Sequence, residues 1–500
     1  MTSVIGSRER VGEAVPHLRR FALIIAGLLA FRLVALAVNS TDLFFDEAQY
    51  WSWSRQLALG YYSKPPMIAW LIRAATEVCG AGEACVRLPA PILHALTAII
   101  IFFAGSSLYG RLTGFWAAVL YATLPAVSLS SAIISTDVPL LTAWAAALYF
   151  YIAIQQRPTT AAALGLGVAI GIGLLSKYAM AFFAIGIVMH VVLVPSAWRG
   201  LISRHLHLAL IVAALIIAPN LWWNSQNSFA TFSHTADNAN WSFDALHWGN
   251  ALEFVAAQFG VFGPILFAGL IVVVVRLLRG GLSRQDRLLL AFSVPIIVAV
   301  TAQALISRAH ANWAATAYVA ASILMAATLV RDSSGRWLGA SVVLHGALIL
   351  ILAFGNALAG KFTMPMGLDP HSRVVGWNRI AAAARSEIDR AAAAGQPYRA
   401  VLTDDRSMAA ELIYYLRDRP LPMTAWQEHK VPTDHYEMTI RITAATPDPI
   451  LYVTGRDGQQ LVGGRFTVIT PLPALEGLTI PGTARQVRLY ALSGYRGEAP

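Results

Sequence analysis

Charge is what this chain has least of. Asp, Glu, Lys and Arg make up 13% of its 500 residues, while 57% are hydrophobic. A soluble domain carries nearer a quarter charged residues. At this composition a soluble fold would expose wide apolar patches and aggregate, and the mean hydropathy of +0.57 points the same way. Cysteine is scarce as well. Cys79 and Cys85 stand close together in a loop, where an oxidising compartment allows a local disulfide and two unrelated thiols fit the sequence equally well. Neither a P-loop nor a glycine-rich dinucleotide fingerprint occurs in a strand-to-helix context. No heptads, low-complexity stretches or solenoid-length repeats stand out.

What the chain has instead is long apolar runs. A bilayer core takes about 20 apolar residues of helix. Runs near that length cover residues 21–38, 88–108, 112–129, 138–154, 161–175, 178–194, 206–218, 254–275, 288–306, 313–330 and 337–354, which predicts about eleven transmembrane helices. The first run follows a basic leader (Arg8, Arg10, Arg19, Arg20) and has no small-residue cleavage site behind it. It reads as a retained first helix rather than a removed signal. Arg32 interrupts it near the outer end, within snorkelling reach of the interface.

The formal net charge of +10 would suggest nucleic acid in a soluble protein. Here four arginines precede the first span and most other arginines of the first two-thirds lie in short loops, the pattern of cytoplasmic loop anchors rather than of a nucleic-acid face. With the N-terminus inside, the inner loops hold Arg111, Arg157, Arg199 with Arg204, the set Arg276, Arg279, Arg284 and Arg287, and Arg331 with Arg336. This satisfies the positive-inside rule. The same alternation puts Asp42, Asp46, Glu47, Asp137, Asp237, Asp244, His234 and His310 together on the outer side. Two outer loops are long, at 39–87 and 219–253. In the first, 47–59 and 66–78 read as short amphipathic helices at the interface. Beyond residue 360 charge becomes frequent, with a helical stretch at 407–416 and strand-like runs at 400–403, 450–453, 466–469 and 487–492. The expected architecture is an α-helical polytopic membrane protein. It has a cytoplasmic N-terminus at 1–20, a transmembrane domain at 21–358 and a small external α/β domain at 360–500.

The chemistry-bearing segments lie on that outer side. Phe44-Phe45-Asp46-Glu47 follows the first span directly. Carboxylates at headgroup depth are costly without a role or a partner, although a solvated, helix-capping acid pair is the plainer reading. Tyr61-Tyr62-Ser63-Lys64-Pro65-Pro66 fixes Lys64 at a turn, because the prolines end one helix and start another. An ammonium held there suits a lipid phosphate; alone it would read as a snorkelling lysine. Ser135-Thr136-Asp137-Val138-Pro139, Ser176-Lys177-Tyr178, the stretch from Phe232 through His234 to Trp241, and the stretch from Ser307 through Arg308, His310 and Asn312 to Trp313 complete the set.

An Asp-Glu after the first helix, a Tyr-Tyr-x-Lys-Pro-Pro turn, a Thr-Asp-x-Pro at the second outer loop and an external C-terminal domain resemble the GT-C glycosyltransferases. Within them the chain is similar to the bacterial branch related to protein O-mannosyltransferases and to the aminoarabinose transferase of lipid A. The resemblance covers roughly 21–354, with Thr403-Asp404-Asp405-Arg406 and Tyr414-Tyr415-Leu416-Arg417-Asp418 as weaker echoes. It implies a multi-pass protein of the bacterial inner membrane with a periplasmic site. Its partners would be a polyprenyl-phosphate sugar donor, a glycolipid or glycan acceptor and the bilayer. The family's catalytic aspartate matches Asp46, the lipid-phosphate lysine of the aminoarabinose branch matches Lys64, and Asp137 matches an acidic second-loop position. Glu47, Tyr62, Lys177, His234 and Arg308 join the expected substrate-binding set by position and chemistry. Ser63 stands where the aminoarabinose branch carries an acid.

The expected reaction is an inverting displacement. Asp46 takes the proton of the acceptor hydroxyl, and Lys64, with Lys177 or Arg308, stabilises the departing phosphate. No obligatory metal is expected. Some members of the class use a divalent cation, for which Asp46, Glu47, Asp137 and His234 are the residues that could serve. The alternative class is a secondary transporter or flippase. Such a protein would place its charges at the midplane of repeated halves, and no such repeat is present.

Overall fold

The computed structural model describes residues 5–201, 203–241, 246–361, 369–473 and 487–497, with side chains from residue 18 onward and without that of 201. Asp244 lies outside the described residues, and Arg8 and Arg10 outside the described side chains. Two compact units emerge. One comprises Met1–Ala37, Lys64–Leu71 and Arg87–Ala353, the other Val38–Ser63, Ile72–Val86 and Phe354–Pro500.

The first unit is helical. Every predicted apolar run falls on a helix or a broken pair, but the count of eleven is not reached by full-length spans. Among the described residues, six helices are long and apolar enough to cross a bilayer: Leu18–Ala37, Glu83–Tyr109, Asp137–Gln156, Arg204–Gln226, Arg284–Ile306 and Gly335–Leu358. A bent pair, Trp248–Phe262 with Pro264–Leu278, would make a seventh. Thr160–Ser176, Tyr178–Leu193 and Ala317–Arg331 are shorter apolar helices. The run predicted at 112–129 breaks into Arg111–Thr123 and Pro125–Ser130, because Pro125 has no N–H to continue the ladder. The run predicted to stop before Pro219 instead continues as one helix, Arg204–Gln226.

Each break leaves backbone groups to be satisfied. Beside Leu124, the Ala122 carbonyl accepts from Arg32 Nη2 at 2.5 Å. Arg32 is therefore buried against a broken helix and does not snorkel as the sequence suggested. Ser283 and Asp286 cap one helix start reciprocally, at 3.1 Å each way, and Thr159 and Ser203 cap two others. The core sets Trp144 edge-on to Phe183, tilts Phe292 against Tyr151 and Phe183, and stacks Phe262 on Tyr318.

The second unit holds a five-stranded mixed sheet, β1 (Ala400–Thr403), β2 (Met423–Ala425), β3 (Ile450–Thr454), β4 (Phe466–Pro471) and β5 (Arg488–Tyr495), in the order β2-β1-β3-β5-β4. β1 lies parallel to β2 and β3, while β5 runs antiparallel to β3 and β4. Helix Trp377–Ala393 buries Trp377, Ile380, Ala381, Ala384, Ile388 and Ala391, the spacing of one helical face. The segments 38–63 and 72–86 also fold in this unit. Helix Phe45–Arg55 packs on helix Arg406–Tyr415, with Trp51 edge-on to Tyr414 at 5.0 Å. Cys79 and Cys85 are joined as a disulfide.

The bent pair depends on Gly263. It has φ +90°, and a Cβ there would lie 2.2 Å from His345 Nε2. Gly263→Ala should cost about 1–3 kcal/mol through the positive φ alone. This would be read as a lower thermal midpoint of the detergent-solubilised protein. An unchanged midpoint would mean that the bend does not need the glycine.

Candidate active site

Asp46 sits in the first turn of helix Phe45–Arg55, where the helix dipole favours negative charge. Arg406 Nη1 donates to Asp46 Oδ1 at 3.0 Å and to Gln49 Oε1 at 2.7 Å. Its guanidinium also covers the Phe45 ring, 4.8 Å from the centroid. Three groups thus hold one arginine, and the arginine fixes one oxygen of Asp46. The other oxygen, Oδ2, accepts no hydrogen bond among the described residues, and the Asp46 side chain is 37% exposed.

Glu47 requires a correction. It was grouped with the substrate ligands, yet it is 1% exposed and its Oε2 accepts from the Phe44 N–H at 2.9 Å. That backbone group would otherwise be left unpaired at the helix start. Glu47 therefore shapes the turn that presents Asp46 and has no surface to offer a substrate.

The helix is held from behind. Trp53 stacks on Tyr61 at 4.5 Å, and His435 meets both rings edge-on. Burial pushes the His435 imidazole down to about 4, so it is neutral at neutral pH, and pushes the Tyr61 hydroxyl up to about 12. Burial also raises the carboxyl of Asp42, which accepts from the Asn378 N–H at 3.3 Å. Tyr62 donates to the Pro432 carbonyl at 3.2 Å, within the second unit. Lys64 is half-buried in the bend before helix Met67–Cys79, and the Pro66 carbonyl starts that helix by accepting from Ala69 and Trp70.

In the helical unit the structure brings Asp137, Lys177 and Asn312 together. Asp137 begins helix Asp137–Gln156. Lys177 Nζ donates to its Oδ1 at 2.7 Å, and Asn312 Nδ2 donates to its Oδ2 at 2.6 Å. Asp137 is 12% and Lys177 22% exposed at the side chain. Lys177 is the extended residue between helix Thr160–Ser176 and the turn Tyr178–Ala181, which explains how two spans can meet with almost no loop. His234 lies in helix Ala230–Ala239, with Nδ1 3.2 Å from Asn238 Nδ2. Arg308 is exposed and has no ion-pair partner among the described residues. Neither contacts the Asp137 group through any described hydrogen bond. Asn312 and Arg406 were both missing from the expected site. Arg406 follows Asp404-Asp405 at a strand end, and a basic residue there was the available signal.

Among the described residues no three His, Cys, Asp or Glu side chains cluster as metal ligands would. Two arrangements are chemically legible. One is a carboxylate with one oxygen fixed and one open, suited to receiving a proton. The other is a largely buried carboxylate that pairs with an ammonium and accepts from an amide N–H.

The description dolichyl-phosphate-mannose-protein mannosyltransferase matches residues 63–223. The lipid A galacturonosyltransferase RgtD of Rhizobium johnstonii is 37% identical over 455 residues, 90% of this chain and 92% of that protein. The lipopolysaccharide core galacturonosyltransferase RgtA of the same organism is 28% identical over 43% of this chain and 44% of that protein. In fold, the chain resembles ArnT from Cupriavidus metallidurans bound to undecaprenyl phosphate, with TM-score 0.65 and 16% identity over 95% of this chain and 97% of that one. A relative this similar over nearly the whole length shows the family: the chain belongs to the membrane glycosyltransferases of the GT-C class. It is a multi-pass membrane glycosyltransferase.

The Asp137–Lys177 pair gives a direct test of coupling. Removing one partner, as in Asp137→Ala or Lys177→Met, should cost about 3–5 kcal/mol. The double variant Asp137→Ala/Lys177→Met should cost less than the sum. Thermal midpoints of the four proteins check this, and strictly additive losses would mean that the two side chains are not coupled.

Proposed function

We propose that the chain moves a galacturonic acid residue from a polyprenyl-phosphate carrier to lipid A on the periplasmic face of the bacterial inner membrane, with inversion at the anomeric carbon. The observation that carries the chemistry is Asp46, with Oδ1 held by Arg406 and Oδ2 open. Asp46 Oδ2 takes the proton of the acceptor hydroxyl as that oxygen bonds to the anomeric carbon. The bond from that carbon to the phosphate oxygen breaks, and its electron pair leaves with the polyprenyl phosphate. Lys64 meets the developing phosphate charge. Tyr62, Lys177, His234 and Arg308 remain proposed substrate-binding residues on the strength of their position and chemistry in the sequence.

The substrates are proposed from the relatives. RgtD is named for lipid A and galacturonate, and a protein of the same fold carries undecaprenyl phosphate. Ser63 agrees with an anionic sugar, because an acid beside Lys64 would repel a uronate. The Cys79–Cys85 disulfide agrees with an oxidising, periplasmic location. We also propose that no resident metal is required. Asp46 is already engaged by a guanidinium, and Asp137 by an ammonium and an amide.

The test uses purified protein, polyprenyl-phosphate galacturonate and lipid A, with the mass of lipid A as readout. Asp46→Asn should lower kcat at least about 10²-fold, the scale of a general base, and Lys64→Ala by a similar factor, with both proteins still folded. Transfer that survives Asp46→Asn would remove the base. EDTA should leave the wild-type rate within about twofold. A collapse reversed by added divalent cation would bring a metal into the mechanism.

A further inference from the structure

The parallel part of the sheet in the second unit has a place where its connections part. From β1 the chain leads to β2 on one side, while β3 lies on the other side of β1 and leads on toward β4 and β5. In open α/β sheets the crevice beyond the carboxyl ends of two such strands is where ligands bind. Here the residues directly after β1 and directly after β3 line a cleft of about 790 Å³, within the range of small-molecule sites; its walls include Phe45, Arg373, Trp377, Asp404, Ser407 and Arg456.

The lining is dressed for a hydroxyl-rich, anionic ring. The Asp404 side chain is 1% exposed. Its Oδ2 accepts from Arg456 Nε at 2.7 Å and from Thr454 Oγ1 at 3.0 Å, and the buried Tyr452 hydroxyl also faces this carboxylate. Asp404 therefore fixes Arg456 at the cleft wall. Arg456 is neutralised by Asp404 and Glu428. Arg373 is exposed and has no ion-pair partner among the described residues, so it offers an uncommitted guanidinium to a phosphate. Phe45 and Trp377 add aromatic surface. Phe45 also adjoins Asp46, and Arg406 touches both.

We propose that this cleft binds the phosphorylated saccharide headgroup of the acceptor glycolipid, so that a hydroxyl of that headgroup is presented to Asp46. This rests on the transferase reading above. The acceptor is the occupant we assign, because Phe45 of the cleft adjoins Asp46 and the group brought to a general base is the one that gives up its proton.

The experiment uses the full chain in detergent and, as probe, a phosphorylated glucosamine disaccharide without acyl chains. The disaccharide should inhibit transfer competitively against lipid A and not against the donor. Arg373→Ala should raise the KM for lipid A and the inhibition constant of the disaccharide about tenfold, the scale of one charged hydrogen bond. Ser407→Trp, which fills the cleft, should raise both further. A rise in the donor KM instead, or an unchanged acceptor KM in both variants, overturns the assignment. Calorimetric binding of the disaccharide to the protein without donor separates this proposal from the transferase reading. Binding lost in Ser407→Trp but retained in Asp46→Asn supports the cleft even if no transfer to lipid A occurs. Equal binding by wild type and Ser407→Trp, or none to wild type, sinks it. Arg373 is exposed, so its variant tests the cleft even if Ser407→Trp fails to fold.

Discussion

Arg406 reaching Asp46, with Trp51 pressed edge-on to Tyr414, is the contact on which the candidate site depends. A helix of eleven residues (Phe45–Arg55) is too short to be stable alone in water. It persists because its aromatic face is buried and its ends are tied. The Leu43 N–H donates to the Tyr415 hydroxyl at 3.0 Å before its start, and the Tyr61 hydroxyl donates to the Trp53 carbonyl at 3.0 Å near its end. Glu47 closes the first turn. With the helix fixed, a single guanidinium can orient the Asp46 carboxylate and leave its second oxygen open. A mobile acid would lose that geometry, and with it most of the benefit of proximity.

The helical unit obeys a different constraint. Wherever a helix breaks inside an apolar environment, some polar group has to answer for the freed backbone. Arg32 does so for Ala122. Asp286, 1% exposed at the side chain, takes bonds from Tyr109 and Arg331 as well as capping its own helix. Asp137 is treated likewise by Lys177 and Asn312. These are charges whose partners lie far away in sequence, as burial requires.

Much of this was legible in the residues. Strand 400–403 appears as Ala400–Thr403, and the interfacial helices read at 47–59 and 66–78 appear as Phe45–Arg55 and Met67–Cys79. Local pattern decides such elements. The short β2 strand escaped, since three residues carry no period, and helix Trp377–Ala393 escaped although its buried face is regular. Asp46, Asp137 and Lys177 could be chosen because acids and bases at span ends are costly. Arg406 and Asn312 could not, because only the folded chain shows that positions 360 and 175 residues away face them. Glu47 was misread for the same reason. In sequence it is Asp46's equal, and only burial separates a capping acid from an open one.

The first loop and its supports are separated by most of the chain. Leu43 and Tyr415 stand 372 residues apart. At about 5–20 residues per second of synthesis, the loop emerges about 20–70 s before its partner exists. Throughout that interval a helix bearing Tyr50, Trp51 and Trp53 lacks the cover of helix Arg406–Tyr415. The bilayer interface, where tryptophan and tyrosine settle readily, is the surface ready to shelter it. Biogenesis then ends with a transfer of those rings from lipid to protein. Ribosomes that stall before helix Arg406–Tyr415 would leave a membrane-inserted chain in which Asp46 lacks the arginine that holds it.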